Sequence, residues 1–485
     1  GIRKIVLATN IAETSITIDD IAYVVNGCKA KEKTYDAVNN LACLLPSWVS
    51  RASARQRRGR AGRVQAGKCF HLVPRPLHDR HLPEHQAPEL LRTPLEELSL
   101  QIKALKLGRI EAFLAKAIQQ PDPKAVHNAV DLLSTIGALD EREELTALGA
   151  HLSQLPVDPR IGKMMIMGAI FGCLEPVLII AAGMAHRDPF VLPLDKKQAA
   201  DEVKRSFAQG TCSDHLALLR AYQGWHTAMR SGGYGAARDY CWRNFLSMNT
   251  MQMMQDMVAQ FAELLQGIGF LASGHPGVGA DGGDAAPGPR QGAYQPPGAQ
   301  RGRGGSRRLE EPIARLSQNQ SHLDLLRAVL CAGMFPAVAS IKRRGKFNAF
   351  NTREDGKVEP HPSSVNSPMG HYPHRWLVYS DKVKSSGIYL RSSTMVPDFA
   401  LLLFGGELTQ TGGTLAMLEG WMAFSTDPRV ADLIRGLRDR LHTLLAAKVQ
   451  SPDMDIMESG GPIVDAVIRV LETSSEEDGM QQHRY

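Results

Sequence analysis

The stretch Gln56-Arg57-Arg58-Gly59-Arg60-Ala61-Gly62-Arg63 decides how the chain is read. It closes a window, residues 51–63, that holds six arginines in thirteen residues and no acid. Guanidinium groups at that density repel one another, so a folded protein keeps them where something anionic gathers the charge. The preceding Ser50-Arg51-Ala52-Ser53-Ala54-Arg55 predicts a helix, with Ser50 or Ser53 as N-cap. Gln56, Arg60 and Arg63 then stand four and three residues apart on one helical face. One amide and two planar cations on one face suit a polyphosphate; a solvated basic surface helix is the plainer alternative. Gly59 and Gly62 weigh against that alternative. Each costs about 1 kcal/mol in a helix interior, which has a reason only where backbone approaches a ligand or a strand closely.

Outward from this helix the pattern is α/β. Residues 4–8 (Lys-Ile-Val-Leu-Ala) form a short apolar run of the kind found in a buried parallel strand. Thr9-Asn10-Ile11-Ala12-Glu13-Thr14-Ser15-Ile16-Thr17-Ile18-Asp19 follows, clustering small polar groups where open α/β sheets bind ligands. Residues 21–26 predict a second strand and residues 68–73 another. Between them Lys29, Lys31, Lys33 and Tyr35 alternate as on one face of a hairpin. Arg57 and Arg58 point off the Gln56–Arg60–Arg63 face and read as structural, pairing with acids elsewhere.

Residues 9–19 resemble motif V, and residues 56–63 motif VI, of the DEAH-box/RNA-helicase-A-like (DExH) family of superfamily 2 helicases. The carrying residues are Ala12-Glu13-Thr14-Ser15 together with Gln56-Arg57-Arg58-Gly59-Arg60-Ala61-Gly62-Arg63. The resemblance runs through almost the whole chain and implies a multidomain α/β plus α plus β protein. Its expected parts are the C-terminal portion of a second RecA-like domain (1–89), a winged helix (90–155), a helical ratchet-like bundle (156–272), a disordered Gly/Pro/Arg-rich insert (273–311), an OB-fold barrel with a leading helix (312–424), a C-terminal helical extension (425–472) and a disordered tail (473–485).

The same resemblance implies roles. ATP with Mg²⁺ is the cofactor. Gln56 senses the terminal phosphate, and Arg60 and Arg63 stabilise charge building on it; the physics agrees, since phosphoryl transfer is catalysed by positioned positive charge. Thr17 and Asp19 lie near the nucleotide. Thr9 and Asn10 bond an RNA phosphate, and Ser15 couples nucleotide state to RNA position. No Gly-x-x-x-x-Gly-Lys-Ser/Thr and no Asp-Glu-x-His stretch occurs in the chain, so the phosphate loop and the Mg²⁺-holding acids are expected in a first RecA-like domain outside it. The expected function is the C-terminal part of an ATP-dependent 3′-to-5′ RNA helicase, inactive toward ATP alone; a non-catalytic RNA-binding adaptor is the alternative.

Composition sets the bounds. A chain of 485 residues has room for about three or four domains. Net charge is only +6 but clustered, which points to an anionic partner. Seven cysteines stand singly, against a zinc ribbon or a disulfide scaffold. No uninterrupted apolar run reaches membrane-spanning length; residues 164–184 are broken by Glu175-Pro176 and read as two buried helices. The chain opens on Gly rather than Met and looks cut from something longer.

Farther along, the methionines Met248, Met251, Met253, Met254 and Met257 read as core. Lys204, Arg205, His215 and Arg220 read as a solvated face, with RNA contact the alternative. Asp355-Gly356 signals a hairpin, and Lys342, Arg343 and Arg344 beside Phe347, Phe350, Trp376 and Tyr379 give the basic-plus-aromatic mix of an OB-type RNA-binding face. Of these the cations are the expected contacts, because aromatics in a small barrel are mostly core. Paired helices after the OB region resemble the subgroup with G-quadruplex-resolving enzymes. That extends the expected partners from RNA to structured nucleic acid and a protein cofactor, with no membrane, in an intracellular setting where nucleus and cytoplasm are undistinguished.

Overall fold

Ser50 is the N-cap of the arginine helix: its Oγ accepts from the Ser53 amide at 3.1 Å. The computed structural model describes residues 4–14, 18–36, 41–193, 195–272, 304–344, 347–367, 372–385 and 387–481. It divides into two units, residues 1–95, 107–130 and 382–389 in the first, the remainder in the second.

In the first unit, α1 (Ile11–Thr14) precedes β1 (Tyr23–Asn26), the hairpin strands β2 (Lys29–Asp36) and β3 (Leu41–Trp48), helix α2 (Arg51–Gly59), β4 (Lys68–His71) and α3 (Arg75–Arg80). Strands β1 and β4 pair in parallel, Tyr23 opposite Lys68 through Asn26 opposite His71. The hairpin is antiparallel and opens on Lys29 opposite Trp48, where the ammonium lies 4.4 Å from the ring centroid. The side chains of Lys31, Lys33 and Tyr35 lie outside the described residues.

The strand expected over residues 4–8 is not formed. A strand exists by backbone pairing, residues 4–8 have none among the described residues (Lys4 instead pairs its ammonium with Asp20 at 3.0 Å), and Ile5 and Leu7 are 78% and 93% exposed. Gly67 occupies a tight corner instead: a Cβ there would lie 2.1 Å from the Ala61 carbonyl oxygen and 2.7 Å from that of Ala22.

Helices α4 (Glu96–Ala104), α5 (Ile110–Leu114), α6 (Pro123–Thr135) and α7 (Ala147–Leu152) follow, with a small wing closed by an antiparallel bridge between Leu139 and Leu145. In the second unit, α8 (Pro159–Ile170) and α9 (Leu174–Ala185) are the two buried helices of the Met-rich run, α9 starting at the Glu175-Pro176 interruption because proline is tolerated in a first turn. Then come α10 (Lys197–Ala208), α11 (Asp214–Arg243) and α12 (Met248–Gly267). Met251 and Met254 are fully buried, as core methionines should be, while Met253 is 39% exposed.

The insert differs from expectation at its end. Residues 273–303 lie outside the described residues, but α13 (Gly304–Arg315) is helical through a stretch read as disordered to residue 311. Its Leu309 is buried at 7% exposure, so an apolar contact offsets the ordering entropy that the Arg/Gly composition alone does not. The tail differs likewise: α17 (Ile456–Gln481) continues through residues 473–481, since extending an existing helix adds one bond per residue fixed.

Helix α14 (Leu323–Met334) leads into strands β5 (Val338–Arg344), β6 (Phe347–Thr352), β7 (Gly356–Pro360), β8 (Trp376–Lys384) and β9 (Ile388–Val396). They run in the order β8-β5-β6-β7-β9, and a β8–β9 pairing closes the five-stranded barrel. Gly356 turns the β6–β7 hairpin at φ 68°, a left-handed position that suits glycine. Helix α15 (Asp398–Phe404), the meander β10 (Thr409–Thr411), β11 (Thr414–Met417) and β12 (Met422–Ser425), and helix α16 (Pro428–Gln450) precede α17. Arg438 of α16, 4% exposed, donates to the carbonyls of Leu402, Gly405 and Gly406, satisfying the end of α15. The main core lies where α8 crosses α14: a Cβ on Gly333 would fall 2.4 Å from that of Met164.

Candidate functional site

The arginine helix is α-helical to Gly59 and tightens into a 3₁₀ turn over Arg60–Gly62. Backbone angles stay helical from Gly59 to Arg63, so Gln56, Arg60 and Arg63 keep their stepwise placement along it. Gln56 and Arg63 are exposed and Arg60 is partly buried. A Cβ built on Gly59 or Gly62 meets nothing within 4 Å. Of the two reasons expected for these glycines, close approach to a strand is therefore absent among the described residues; an open, cationic, Cβ-free surface remains.

Two arginines tie this helix to α1. Arg57 Nε donates to Glu13 Oε2 at 3.0 Å, and its Nη1 to Asn26 Oδ1 at 3.0 Å and to the Lys29 carbonyl at 3.4 Å. Arg60 Nη2 donates to the Glu13 carbonyl. Asn26, 3% exposed, also accepts from the Cys28 amide at 2.9 Å and meets His71 Nδ1 at 3.1 Å. Arg57 is thus structural, as its helical position predicts; Arg58 is exposed, and its charge helps hold the His71 pKa below the ordinary value, after burial and His78.

Thr9 and Asn10 are exposed and their carbonyls start α1, accepting from the Ala12 and Glu13 amides at 3.2 and 2.9 Å. Asp19 is exposed. Ser15 and Thr17 lie outside the described residues. The structure therefore brings Thr9, Asn10, Gln56, Arg60 and Arg63 onto two linked elements of one unit, through Glu13.

In the second unit Lys342 and Arg343 are exposed on β5, opposite Ala349 and Asn348; the Arg344 side chain lies outside the described residues. Alternation along a strand sends Lys342 to one face and Arg343 to the other, so the three cations are not one patch. Phe350, Trp376 and Tyr379 are buried at 6%, 4% and 4% exposure.

Sequence reasoning missed a buried polar network. Lys204 and His215, read as a solvated face, are 6% and 1% exposed. Lys204 Nζ lies 3.5 Å from Asp214 Oδ1 and 3.4 Å from Asp188 Oδ2, and donates to the Ser363 carbonyl at 3.1 Å. Asp214 accepts from Ser364 Oγ at 2.5 Å and from the amides of Val365 and Ser393 at 3.0 and 2.9 Å. His215 meets Thr394 Oγ1 at 2.7 Å and Ser380 Oγ at 2.9 Å; burial holds its pKa below the ordinary value. These groups border a polar cavity of about 380 Å³ that also takes in Arg187 and Arg391. No helix among the described residues is long and apolar enough to cross a membrane.

The fold is that of a helicase C-terminal region, and family comparisons agree segment by segment. Residues 1–65 match the helicase conserved C-terminal domain, 129–157 and 158–218 the winged-helix and ratchet-like helicase-associated (HA2) domains, 326–408 the OB-fold and 414–473 the C-terminal domain in RNA helicases. The chain is similar to DExH-box ATP-dependent RNA helicase DExH1 of Arabidopsis thaliana, 50% identical over 471 residues, 97% of this chain and 43% of that protein. It is 41% identical over 485 residues to human ATP-dependent DNA/RNA helicase DHX36 (98% and 44%), and 38% identical over 504 residues to human putative ATP-dependent RNA helicase DHX57 (98% and 35%). It belongs to the DEAH/DExH-box family of superfamily 2 helicases, as its C-terminal region, and spans less than half the length of these relatives.

Proposed function

We propose that the chain is the C-terminal part of an ATP-dependent 3′-to-5′ RNA helicase, coupling ATP hydrolysis to RNA translocation and unwinding. The observation that carries this is the linkage of the Gln56–Arg60–Arg63 ridge, through Glu13, to the segment bearing Thr9 and Asn10. A charge felt at the ridge thereby reaches Glu13, whose amide donates to the Asn10 carbonyl at 2.9 Å. The donor set fits a polyphosphate: an amide and two guanidinium groups beside two glycines with open space above them. Bound ATP with Mg²⁺ would supply the transferable phosphoryl group, its charge partly neutralised by the metal. Gln56 would orient toward the terminal phosphate and Arg60 and Arg63 would hold its equatorial charge, a role worth roughly 10³–10⁵ in rate for an arginine finger.

On this reading Thr17 and Asp19 neighbour the nucleotide, Thr9, Asn10 and Ser15 contact RNA, and of the β5 cations Lys342, Arg343 and Arg344 those on one face of the strand join them. The winged-helix (90–155), ratchet-like (156–272) and OB (312–424) segments surround the strand. Structured nucleic acid such as a G-quadruplex and a protein cofactor extend the partner list, in the nucleus or cytoplasm. The test is Arg63→Ala in the full-length protein. RNA-stimulated ATP hydrolysis should disappear while RNA affinity stays within a few-fold. A large loss of affinity with hydrolysis retained would assign the ridge to RNA, and a wild-type protein that binds RNA without hydrolysing ATP would make it an adaptor.

A further inference from the structure

Helix α11 is broken and restarted. Gly233 sits at φ 67°, ψ −161°, backbone that essentially only glycine adopts, and helix resumes through Arg243. The restarted segment is anchored by buried Ala237 and Cys241, and by the Tyr240 ring, which packs so closely on Gly224 that a Cβ there would lie 2.1 Å from Tyr240 Oη. Its outer side carries Tyr234, Arg238 and Trp242, four residues apart and therefore one above the other on a single face. Trp242 is 82% exposed, Tyr234 57%, and Arg238 is exposed too. At 1.5 Å rise per residue, successive members stand roughly 6 Å apart along the axis. Arg230 and Arg243 flank the row against one acid, Asp239, and neither they nor Arg238 makes an ion pair among the described residues.

We propose that the Tyr234–Arg238–Trp242 ridge is a stacking site for single-stranded RNA, outside the residues assigned to RNA above; the inference rests on the RNA-binding reading of the chain. Two aromatic faces offered to solvent, with a guanidinium between them and cations at both ends, take two bases of one strand by stacking and the phosphates between them by charge. Three arginines, Arg230, Arg238 and Arg243, against the single acid Asp239 favour a polyanionic strand over a protein as the occupant, and the ridge borders none of five cavities of about 180 to 630 Å³ among the described residues. Breaking the helix at Gly233 lets the segment aim this face independently of the preceding helix.

The experiment titrates the 485-residue chain with a single-stranded oligouridylate, reading affinity and tryptophan emission. Trp242→Ala and Tyr234→Ala should each weaken binding about five-fold or more, as loss of one stacked base does. Trp242→Phe should retain most of the affinity while removing part of the RNA-induced quenching. Arg238→Ala should lower the steepness of the salt dependence by about one phosphate contact. Thermal melting of all four variants should match the parent, because the side chains are exposed. Parent-like RNA affinity in Trp242→Ala and Tyr234→Ala, with RNA binding by the parent intact, overturns the ridge and leaves the RNA reading standing; capture of a protein lost in the same variants would then assign it to a protein partner. A parent chain that does not bind RNA overturns both.

Discussion

Arg57 Nε donates to Glu13 Oε2 at 3.0 Å, with the two side chains 16% and 14% exposed, and this pair joins the arginine helix to α1. Exposed ion pairs contribute little, but this one is largely shielded and Arg57 also holds Asn26 and Lys29. Arg57→Ala should destabilise the first unit by about 1–3 kcal/mol. Amide exchange of Ala12 and Glu13, whose donors bond the Thr9 and Asn10 carbonyls, should accelerate. Unchanged exchange there would mean that α1 holds without the pair, leaving the Arg60 bond to the Glu13 carbonyl as the tie between the ridge and Thr9–Asn10.

The buried charges of the second unit predict an asymmetry. Asp214 serves Ser364, Val365 and Ser393 as well as Lys204, so its loss strands both a cation and buried donors. Asp214→Ala should cost about 3–5 kcal/mol. Lys204→Met should cost less, since Asp214 keeps its neutral donors and the methionine stem can still lie along Phe190, whose ring centroid is 5.1 Å from the ammonium. Chemical denaturation of both variants decides; equal losses would show that the ion pair, rather than the neutral donors, holds Asp214.

His215 makes stability depend on pH. Its folded pKa lies below the ordinary 6.5, chiefly through burial, with Lys204 adding to the depression and Asp214 opposing it. The unfolded chain therefore binds a proton that the folded chain refuses. The contribution is complete above about pH 6.5 and is lost as pH falls below it toward the depressed folded value. The Tm should drop between pH 7 and pH 5, and His215→Gln should flatten that drop while lowering the Tm at pH 7. An unchanged pH slope in the variant would place the titration elsewhere.

What was legible in the sequence was what local chemistry decides. Ser50 and the i, i+4 spacing set the arginine helix, Asp355-Gly356 set a hairpin, and Glu175-Pro176 marked where one buried helix gives way to the next. What was not legible depends on distant partners. Residues 4–8 look like a strand by composition, yet pairing is a property of neighbours and none is present among the described residues. Lys204 and His215 look solvated on their own helices. The groups that bury and satisfy them, Ser363, Ser380 and Thr394, lie about 160–180 residues away in sequence, and no periodicity carries that distance. Lys342 and Arg343 read as one patch until alternation along β5 separates them.

Salt dependence tests the barrel cations. Neutralising Lys342 and Arg343 together should weaken RNA binding and reduce the slope of log affinity against log salt by up to two contacts' worth, since each phosphate neutralised contributes about 0.7 for single strands. Because the strand sends the two to opposite faces, the single variants should differ, one carrying most of the change. Equal single effects would place both side chains on the RNA path in spite of the alternation, and an unchanged slope in the double variant would remove β5 from it.

The glycines of the arginine helix separate stability from function. At Gly59, φ −62° and ψ −13° are helical, and the space where a Cβ would stand is open. Gly59→Ala should therefore raise the Tm slightly, worth up to about 1 kcal/mol through helix propensity and a less disordered unfolded chain. Gly67→Ala is the opposite case: its Cβ would overlap two backbone carbonyls, so it should destabilise the first unit markedly. If the glycines are kept for a nucleotide that approaches the backbone, Gly59→Ala in the full-length protein gains stability and loses ATP affinity or turnover together. A variant that is both more stable and fully active would leave the glycine without a ligand to explain it, and the ridge would have to meet its phosphate through the side chains of Gln56, Arg60 and Arg63 alone.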